Sequence, residues 1–122
     1  MVSMTDSDVM AHVDVVCDAG CPVRRCAEII DGKWTTRIIR DLLSGPRRFS
    51  ELRRSLDGIS PKMLAQRLRF LEKKGLVVRK VYPSVPPKTE YSLTPLGAEL
   101  EAVILAMARF GARLEAEEGA HA

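Results

Sequence analysis

The sequence of 122 residues lacks several features that would set its class at once. No stretch approaches the roughly 18 consecutive apolar residues that a membrane-spanning helix needs. Aromatic side chains make up only 5% of the chain, and neither an internal repeat nor a low-complexity segment is present. The 46% of hydrophobic and 29% of charged residues are typical of one soluble globular domain.

Motifs for catalysis are missing as well. The chain has no Gly-rich phosphate loop, no paired carboxylates, no nucleophile beside a base and no cluster spaced for a metal ion. Its two histidines, His12 and His121, lie near the chain ends. We therefore expect a protein that is not an enzyme and that holds no cofactor and no metal.

The N-terminal segment has only a superficial likeness to a secretory signal. Ala19-Gly20-Cys21 is lipoprotein-like, but four aspartates between positions 6 and 18 leave no uninterrupted apolar core. The weak periodicity of residues 1–21 instead predicts an arm that orders against a partner subunit. We expect the protein to be cytoplasmic.

Basic residues are concentrated in the middle of the chain. Between Arg24 and Glu90 there are 17 Lys and Arg against seven Asp and Glu, a balance of +10, whereas the ends together carry −7. A basic module within a chain of net charge +3 is typical of a protein that contacts phosphates. A solvated basic surface is the alternative that charge alone leaves open.

From Pro22 onward, apolar residues follow the three-and-four spacing of helices. Two helices are expected to meet around Asp31-Gly32-Lys33, and the second should end at Ser44-Gly45-Pro46, because proline cannot continue the helix. Their buried positions are Ala27, Ile29, Ile30, Trp34, Ile38, Ile39, Leu42 and Leu43.

Two further helices are predicted in close succession. Ser50 is expected to cap a short helix that ends in a turn at Asp57-Gly58. Ser60 then caps a second helix, with Pro61 at its first position and Gly75 at its end. This order is that of a helix-turn-helix. The leucines expected to be buried are Leu52, Leu56, Leu64, Leu68 and Leu71.

A hairpin and a long helix complete the pattern. Strands are predicted at 76–82 and 89–93, joined by a stiff proline-rich loop. Thr94 and Pro95 then begin a helix that extends to Glu118. One apolar stripe runs along it: Leu96, Leu100, Val103, Ile104, Met107, Gly111 and Leu114.

The exposed face of the Ser60 helix carries the best candidates for contact with DNA. It presents Lys62, Gln66, Arg69 and Lys73, whose long donors suit a major groove. We expect Met63 and Gln66 at base edges, and Arg67, Lys73 and the Ser60 cap at phosphates. The hairpin would act as a wing through Arg79, Lys80 and Lys88, flanked by Lys33, Arg47, Arg48, Arg53 and Arg54. Each residue alone could equally be ordinary surface.

Many short motifs between Cys21 and Leu100 resemble the HxlR family of winged helix-turn-helix regulators, in the MarR-like superfamily. They include Cys21-Pro22-Val23, Asp31-Gly32-Lys33-Trp34, Ser44-Gly45-Pro46-Arg47-Arg48-Phe49-Ser50-Glu51-Leu52, Ile59-Ser60-Pro61-Lys62-Met63-Leu64, Glu72-Lys73-Lys74-Gly75-Leu76-Val77, Val85-Pro86-Pro87 and Glu90-Tyr91-Ser92-Leu93-Thr94-Pro95.

The resemblance implies a mainly α fold with a small β-hairpin and terminal helices that form a homodimer. Such a dimer would bind double-stranded DNA at a short inverted repeat, with recognition helices about 34 Å apart. Residues 22–93 would form the DNA-binding domain and 94–122 the dimerisation helix and tail. The alternative is that the last helix folds back on its own core.

Three cysteines lie near the N-terminus: Cys17, Cys21 and Cys26. The family includes thiol sensors of oxidants and electrophiles, and the resemblance carries that role to Cys21, whose neighbours Arg24 and Arg25 would favour the thiolate. Oxidation, through pairing with Cys17 or across the dimer, would move the recognition helices. Alternatively the cysteines are inert, with Cys26 in the core. A zinc site with His12 is a third interpretation, although paired Cys-x-x-Cys knuckles are missing.

Two further hypotheses compete with a thiol switch. A small-molecule effector could be held between the dimerisation helix and the winged domain, near Trp34, Met107 and Phe110, although such residues are more often core. A winged helix used only for protein contacts belongs to a different class and would not bind duplex DNA.

Overall fold

The computed structural model describes residues 5–7, 10 and 21–120, and the chain divides into two compact units, 1–32 and 33–122. In the first unit, helix α1 spans Pro22–Ile30 and no residue of it is buried. Ala27, expected to be buried, is exposed, and Ile29 and Ile30 are half-buried. The helix begins directly after Cys21, as the proline predicts, because proline has the fixed φ of a first helical position.

The second unit contains five helices and three strands among the described residues. Pairing places the strands in the order β1-β3-β2, all antiparallel, so a third strand joins the predicted hairpin. The elements are α2 (Thr35–Leu43), β1 (Arg47–Arg48), α3 (Phe49–Ser55), α4 (Pro61–Lys73), β2 (Val77–Tyr82), β3 (Lys88–Leu93), α5 (Pro95–Ala98) and α6 (Leu100–Ala120).

The core of this unit is formed by the predicted leucine and isoleucine stripes. Removing each such side chain from water contributes about 1.5–3 kcal/mol, which makes these stripes the main source of stability. Trp34 and Leu43 are only half-buried. The side chains less than 2% exposed include Ile38, Ile39, Leu52, Leu56, Leu64, Leu68 and Leu71.

The start of α3 differs from the prediction. Ser50 lies inside the helix, and the residue before the first turn is Arg48. The backbone N–H of Arg48 donates to Oε1 of Glu51 at 2.9 Å, so a carboxylate in the first turn satisfies the N–H of the residue that precedes the helix. The helix therefore begins at Phe49.

Helix α4 begins and ends as predicted. The N–H of Met63 donates to Oγ of Ser60 at 3.0 Å, and Pro61 occupies the first helical position. At the other end Gly75 has a φ of +76°, a left-handed conformation that glycine adopts without a steric penalty.

The C-terminal segment is two helices rather than one. The N–H of Glu99 bonds to the carbonyl of Leu96 at 3.1 Å, a tight 3₁₀ contact that separates α5 from α6. Thr94 caps α5 by accepting the N–H of Gly97 at 3.0 Å, and its hydroxyl donates to the carbonyl of Gly75 at 2.7 Å. These bonds fix α5 to the base of the hairpin. None of the described helices is long and apolar enough to cross a membrane.

Candidate nucleic-acid interface

Helix α4 separates an apolar face from a basic one. Leu64, Leu68 and Leu71 are at most 1% exposed, which fixes the rotation of the helix about its axis. Because successive residues are about 100° apart, the long polar side chains must face outward. This exposure is confirmed, and their contact with DNA stays a prediction. The exposed residues are Lys62, Gln66, Arg69 and Lys73.

The N-terminal turn of α4 offers fewer backbone donors than expected. Pro61 has no N–H, and the N–H of Met63 is bound by Ser60. Only the N–H of Lys62 is left among the first three helical residues to meet a phosphate. Met63 and Arg67 are half-buried, so both lie at the edge of the exposed face.

The arginines of β1 and α3 precede this helix in the sequence. They differ in how free their guanidinium groups are to bind a ligand. The guanidinium of Arg47 donates to Oγ of Ser44 at 2.9 Å and to the carbonyl of Pro46 at 3.1 Å, so it is engaged by its own turn. Arg48, Arg53 and Arg54 are exposed. Arg53 and Arg54 line, with Ser50, a surface depression of ≈ 280 Å³ whose donors suit an anion.

The two faces of the hairpin have different chemistry. On the outer face Lys80 pairs with Glu90, and Glu90 pairs with Arg48 of β1. The ammonium of Lys80 lies 4.8 Å from the centre of the Tyr82 ring, whose hydroxyl donates to Oε1 of Glu90 at 3.2 Å. This face holds two of the predicted wing cations, Lys80 and Lys88, both exposed.

The opposite face of the hairpin holds Arg79, which is engaged within the protein. Its Nε lies 3.5 Å from Oε1 of Glu72 in α4. Across the sheet it pairs with Tyr91, which is 8% exposed. Burial raises the pKa of Tyr91 above its ordinary value. Sequence analysis missed this cluster because no local pattern links Glu72 to Tyr91.

Of the three cysteines in the redox hypothesis, the structure describes Cys21 and Cys26. Cys21 precedes the first residue of α1 and is 4% exposed, while Cys26 is half-buried. Nε of Arg24 lies 3.4 Å from Oε1 of Glu28, so part of its charge is compensated by an acid that the prediction ignored. Cys17 and His12 lie outside the described residues, as does His121.

A cavity adjoins part of the predicted ligand region. It measures ≈ 290 Å³ and lies between α2 and α6. Met107 lines it as expected, but Trp34 and Phe110 do not. Trp34 is instead covered by cations, with Nζ of Lys33 4.7 Å and Cζ of Arg37 5.4 Å from its ring centre. The full lining is Thr36, Arg37, Arg40, Ile104, Met107 and Ala108.

Comparison with known proteins assigns the family. The model of the HxlR-like helix-turn-helix family matches residues 29–118. The chain belongs to this family. The HTH-type transcriptional regulator sll1512 of Synechocystis is 41% identical over 103 residues, 83% of this chain and 76% of its own. The HxlR-like chain is accordingly a helix-turn-helix transcriptional regulator.

Solved structures agree with the winged-helix fold of this HxlR-like chain. A regulator assigned to the MarR family from Porphyromonas gingivalis W83 has 49% sequence identity and a TM-score of 0.73, covering 77% of this chain and 92% of its own. The redox regulator HypR, in its reduced form, has 42% identity and a TM-score of 0.72, covering 75% and 91%.

Proposed function

We propose that this regulator binds a specific DNA sequence as a homodimer, placing α4 of each protomer in successive major grooves of an inverted repeat. The observation that carries the proposal is the exposed basic face of α4, which a buried leucine stripe holds in one orientation. Family membership adds a winged-helix architecture in which such a helix enters the groove. We expect no enzymatic turnover.

The wing and α3 extend the proposed contact. Lys80 and Lys88 would reach the sugar-phosphate backbone or the minor groove beside the site that α4 occupies. Arg48 and Arg53 would bind phosphates next to α3. Because each phosphate neutralised releases counterions, operator affinity should fall steeply with salt.

The proposed dimer rests on the apolar surface that α5 and α6 leave exposed. Leu100 is buried within the protomer, and Val103, Ile104 and Gly111 are half-buried. A run of large apolar side chains at 44–64% exposure is unusual on a protein without a partner. Burial against a second copy would remove them from water. They are Leu96, Met107, Phe110 and Leu114.

Leu114→Glu is expected to convert the dimer to a monomer at micromolar concentration and to weaken operator binding. A carboxylate at a desolvated interface costs several kcal/mol when unpaired. Sedimentation velocity measures the mass. Ala116→Glu, an exposed position of the same helix about 160° away from the stripe, is the control and should remain dimeric. Equal masses for the two variants would contradict this interface.

We also propose that Cys21 is the redox-sensing thiol. Its place at the N-terminal end of α1 favours a thiolate because the helix dipole is positive there, whereas its burial, at 4% exposure, disfavours the charged form. HypR, a similar protein, is named a redox regulator and is known in reduced and oxidised forms. Two thiols, Cys21 with Cys17 or with its copy in the partner, would lose two electrons and two protons to the oxidant and form a disulfide.

Diamide is expected to abolish operator binding by the wild type, and dithiothreitol to restore it. Cys21→Ser should bind with normal affinity and ignore diamide, because it cannot form the disulfide. Cys26→Ser is the matched control and should stay sensitive. Electrophoretic mobility shift with the chain's own upstream duplex gives the readout. A Cys21→Ser protein that still responds to diamide, or a wild type that does not, would remove this switch.

A small-molecule effector is a second candidate for the signal, favoured by the cavity between α2 and α6. Two arginines, Arg37 and Arg40, line it opposite the apolar Ile104 and Met107, so it suits an apolar carboxylate. Thermal unfolding with a panel of aromatic carboxylates tests this: a rise in Tm that Arg40→Gln removes would support it.

A further inference from the structure

We propose that Glu72 is a positioning residue that holds Arg79, and that this ion pair fixes the wing relative to the recognition helix α4. Arg79 then acts within the protein. Its position in the sequence had suggested contact with a DNA phosphate instead. The inference rests on the proposed DNA binding and adds to it a residue on which the alignment of helix and wing depends.

The base of the wing is already fixed by backbone contacts. The N–H of Leu76 bonds to the carbonyl of Leu71 at 3.0 Å, and the N–H of Thr94 bonds to the carbonyl of Leu76 at 3.0 Å. These bonds define where the hairpin leaves α4. Farther along, the two residues of β1 support the hairpin on its β3 side, at Tyr91 and Glu90, whereas on the β2 side its inclination depends on side chains.

The Glu72–Arg79 ion pair lies where it can set that inclination. Among the described residues it is the one ion pair that joins two different elements, because the other two join residues four apart within a helix. The side chain of Glu72 is 26% exposed and that of Arg79 53%. A partly covered carboxylate orients its partner better than a fully solvated one does.

The surrounding charges explain why an acid is needed at position 72. Arg79 and Arg69 both act electrostatically on Tyr91, whose ring is buried between the sheet and the core. Glu72 is the carboxylate among the charged groups that act on this phenol. Loss of this carboxylate would remove the ion pair that holds Arg79, and the Arg79 side chain, already 53% exposed, would turn toward solvent.

The two roles of Arg79 predict opposite effects of Glu72→Gln. If Arg79 binds a phosphate, loss of a nearby negative charge strengthens DNA binding. If the ion pair positions the wing, Glu72→Gln weakens specific binding about three- to fivefold, the range expected for a partly exposed pair. Arg79→Gln should then weaken specific binding by about the same factor. The double variant Glu72→Gln/Arg79→Gln should weaken it no more than either single variant does.

The charge-reversed pair gives the sharpest form of the experiment. Glu72→Arg raises the net charge by two and Arg79→Glu lowers it by two, yet both should weaken operator binding. The double variant Glu72→Arg/Arg79→Glu has the wild-type net charge and should recover binding to within about twofold. Fluorescence anisotropy on operator and unrelated duplexes measures both affinities, and thermal unfolding shows that each variant is folded.

The control is an ion pair that involves neither α4 nor the hairpin. Nε of Arg24 lies 3.4 Å from Oε1 of Glu28 in α1, and Glu28→Gln should leave the operator affinity of the reduced protein unchanged. Hydrogen exchange of the free protein supplies a readout that needs no DNA: Glu72→Gln should speed exchange in β2 and β3 but not in the centre of α4.

The outcomes separate this inference from the proposed function. Suppose that the wild type prefers its operator. Tighter binding by Glu72→Gln, unchanged hydrogen exchange, or no recovery of binding in the charge-reversed double variant would then each overturn the positioning role and leave the proposed function standing. A wild type without preference for any operator would overturn the proposed function and this inference with it.

Discussion

Gly97→Ala is expected to lower the free energy of unfolding by about 3 kcal/mol, the upper end of the cost of overpacking. A Cβ at this position would lie 2.1 Å from the carbonyl oxygen of Leu76 and 3.2 Å from Cδ2 of Leu93. The first of these is a backbone atom, and it already accepts the N–H of Thr94. Because this bond joins the residue before α5 to the base of the hairpin, moving the two apart to relieve the clash would strain it.

Urea denaturation at fixed protein concentration measures the change, because the stability of the proposed dimer depends on concentration. Gly119→Ala is the control: its Cβ meets nothing within 4 Å, so stability should stay equal or rise slightly. A Gly97→Ala protein within about 0.5 kcal/mol of the wild type would contradict the close packing of α5 on Leu76.

Gln66→Ala is expected to weaken operator binding roughly tenfold to a hundredfold and to leave binding to unrelated duplex almost unchanged. The amide of Gln66 points outward from the middle of α4, where its paired donor and acceptor match adenine. Loss of one such contact costs about 1–3 kcal/mol of discrimination.

Lys73→Ala tests the other kind of contact on the same helix. A phosphate contact should weaken binding to all duplexes alike and reduce the slope of log K against log salt by about one. Arg109→Ala, an exposed cation of α6 outside the proposed interface, is the control and should change neither quantity by as much.

If Gln66→Ala weakened binding to the operator and to the unrelated duplex equally, Gln66 would not read bases.

Local signals predicted helix α4 well. Ser60 and Pro61 define its start, Gly75 defines its end, and the leucine stripe defines its rotation. Each of these features depends on residues that are close together in the sequence, so it can be identified from the sequence alone. The exposed donors of α4 followed from that rotation without any tertiary information.

Features that depend on distant partners were not predictable in this way. Strand β1 has two residues, and it exists because Arg47 and Arg48 pair with Tyr91 and Glu90 far along the chain. The break at Glu99 likewise depends on how α5 is fixed to the wing. Glu72 and Arg79 have the composition of ordinary surface residues, and only the fold brings them together.

The most direct test of the account is a titration of the reduced protein against a duplex from its own upstream region and against a scrambled duplex. We expect tight binding to the first with two protomers per site, a preference of at least 10³ over the scrambled duplex and a steep decrease with salt. Equal binding to both duplexes, or none to this and other operator candidates, would contradict sequence-specific recognition and favour a winged helix used for protein contacts.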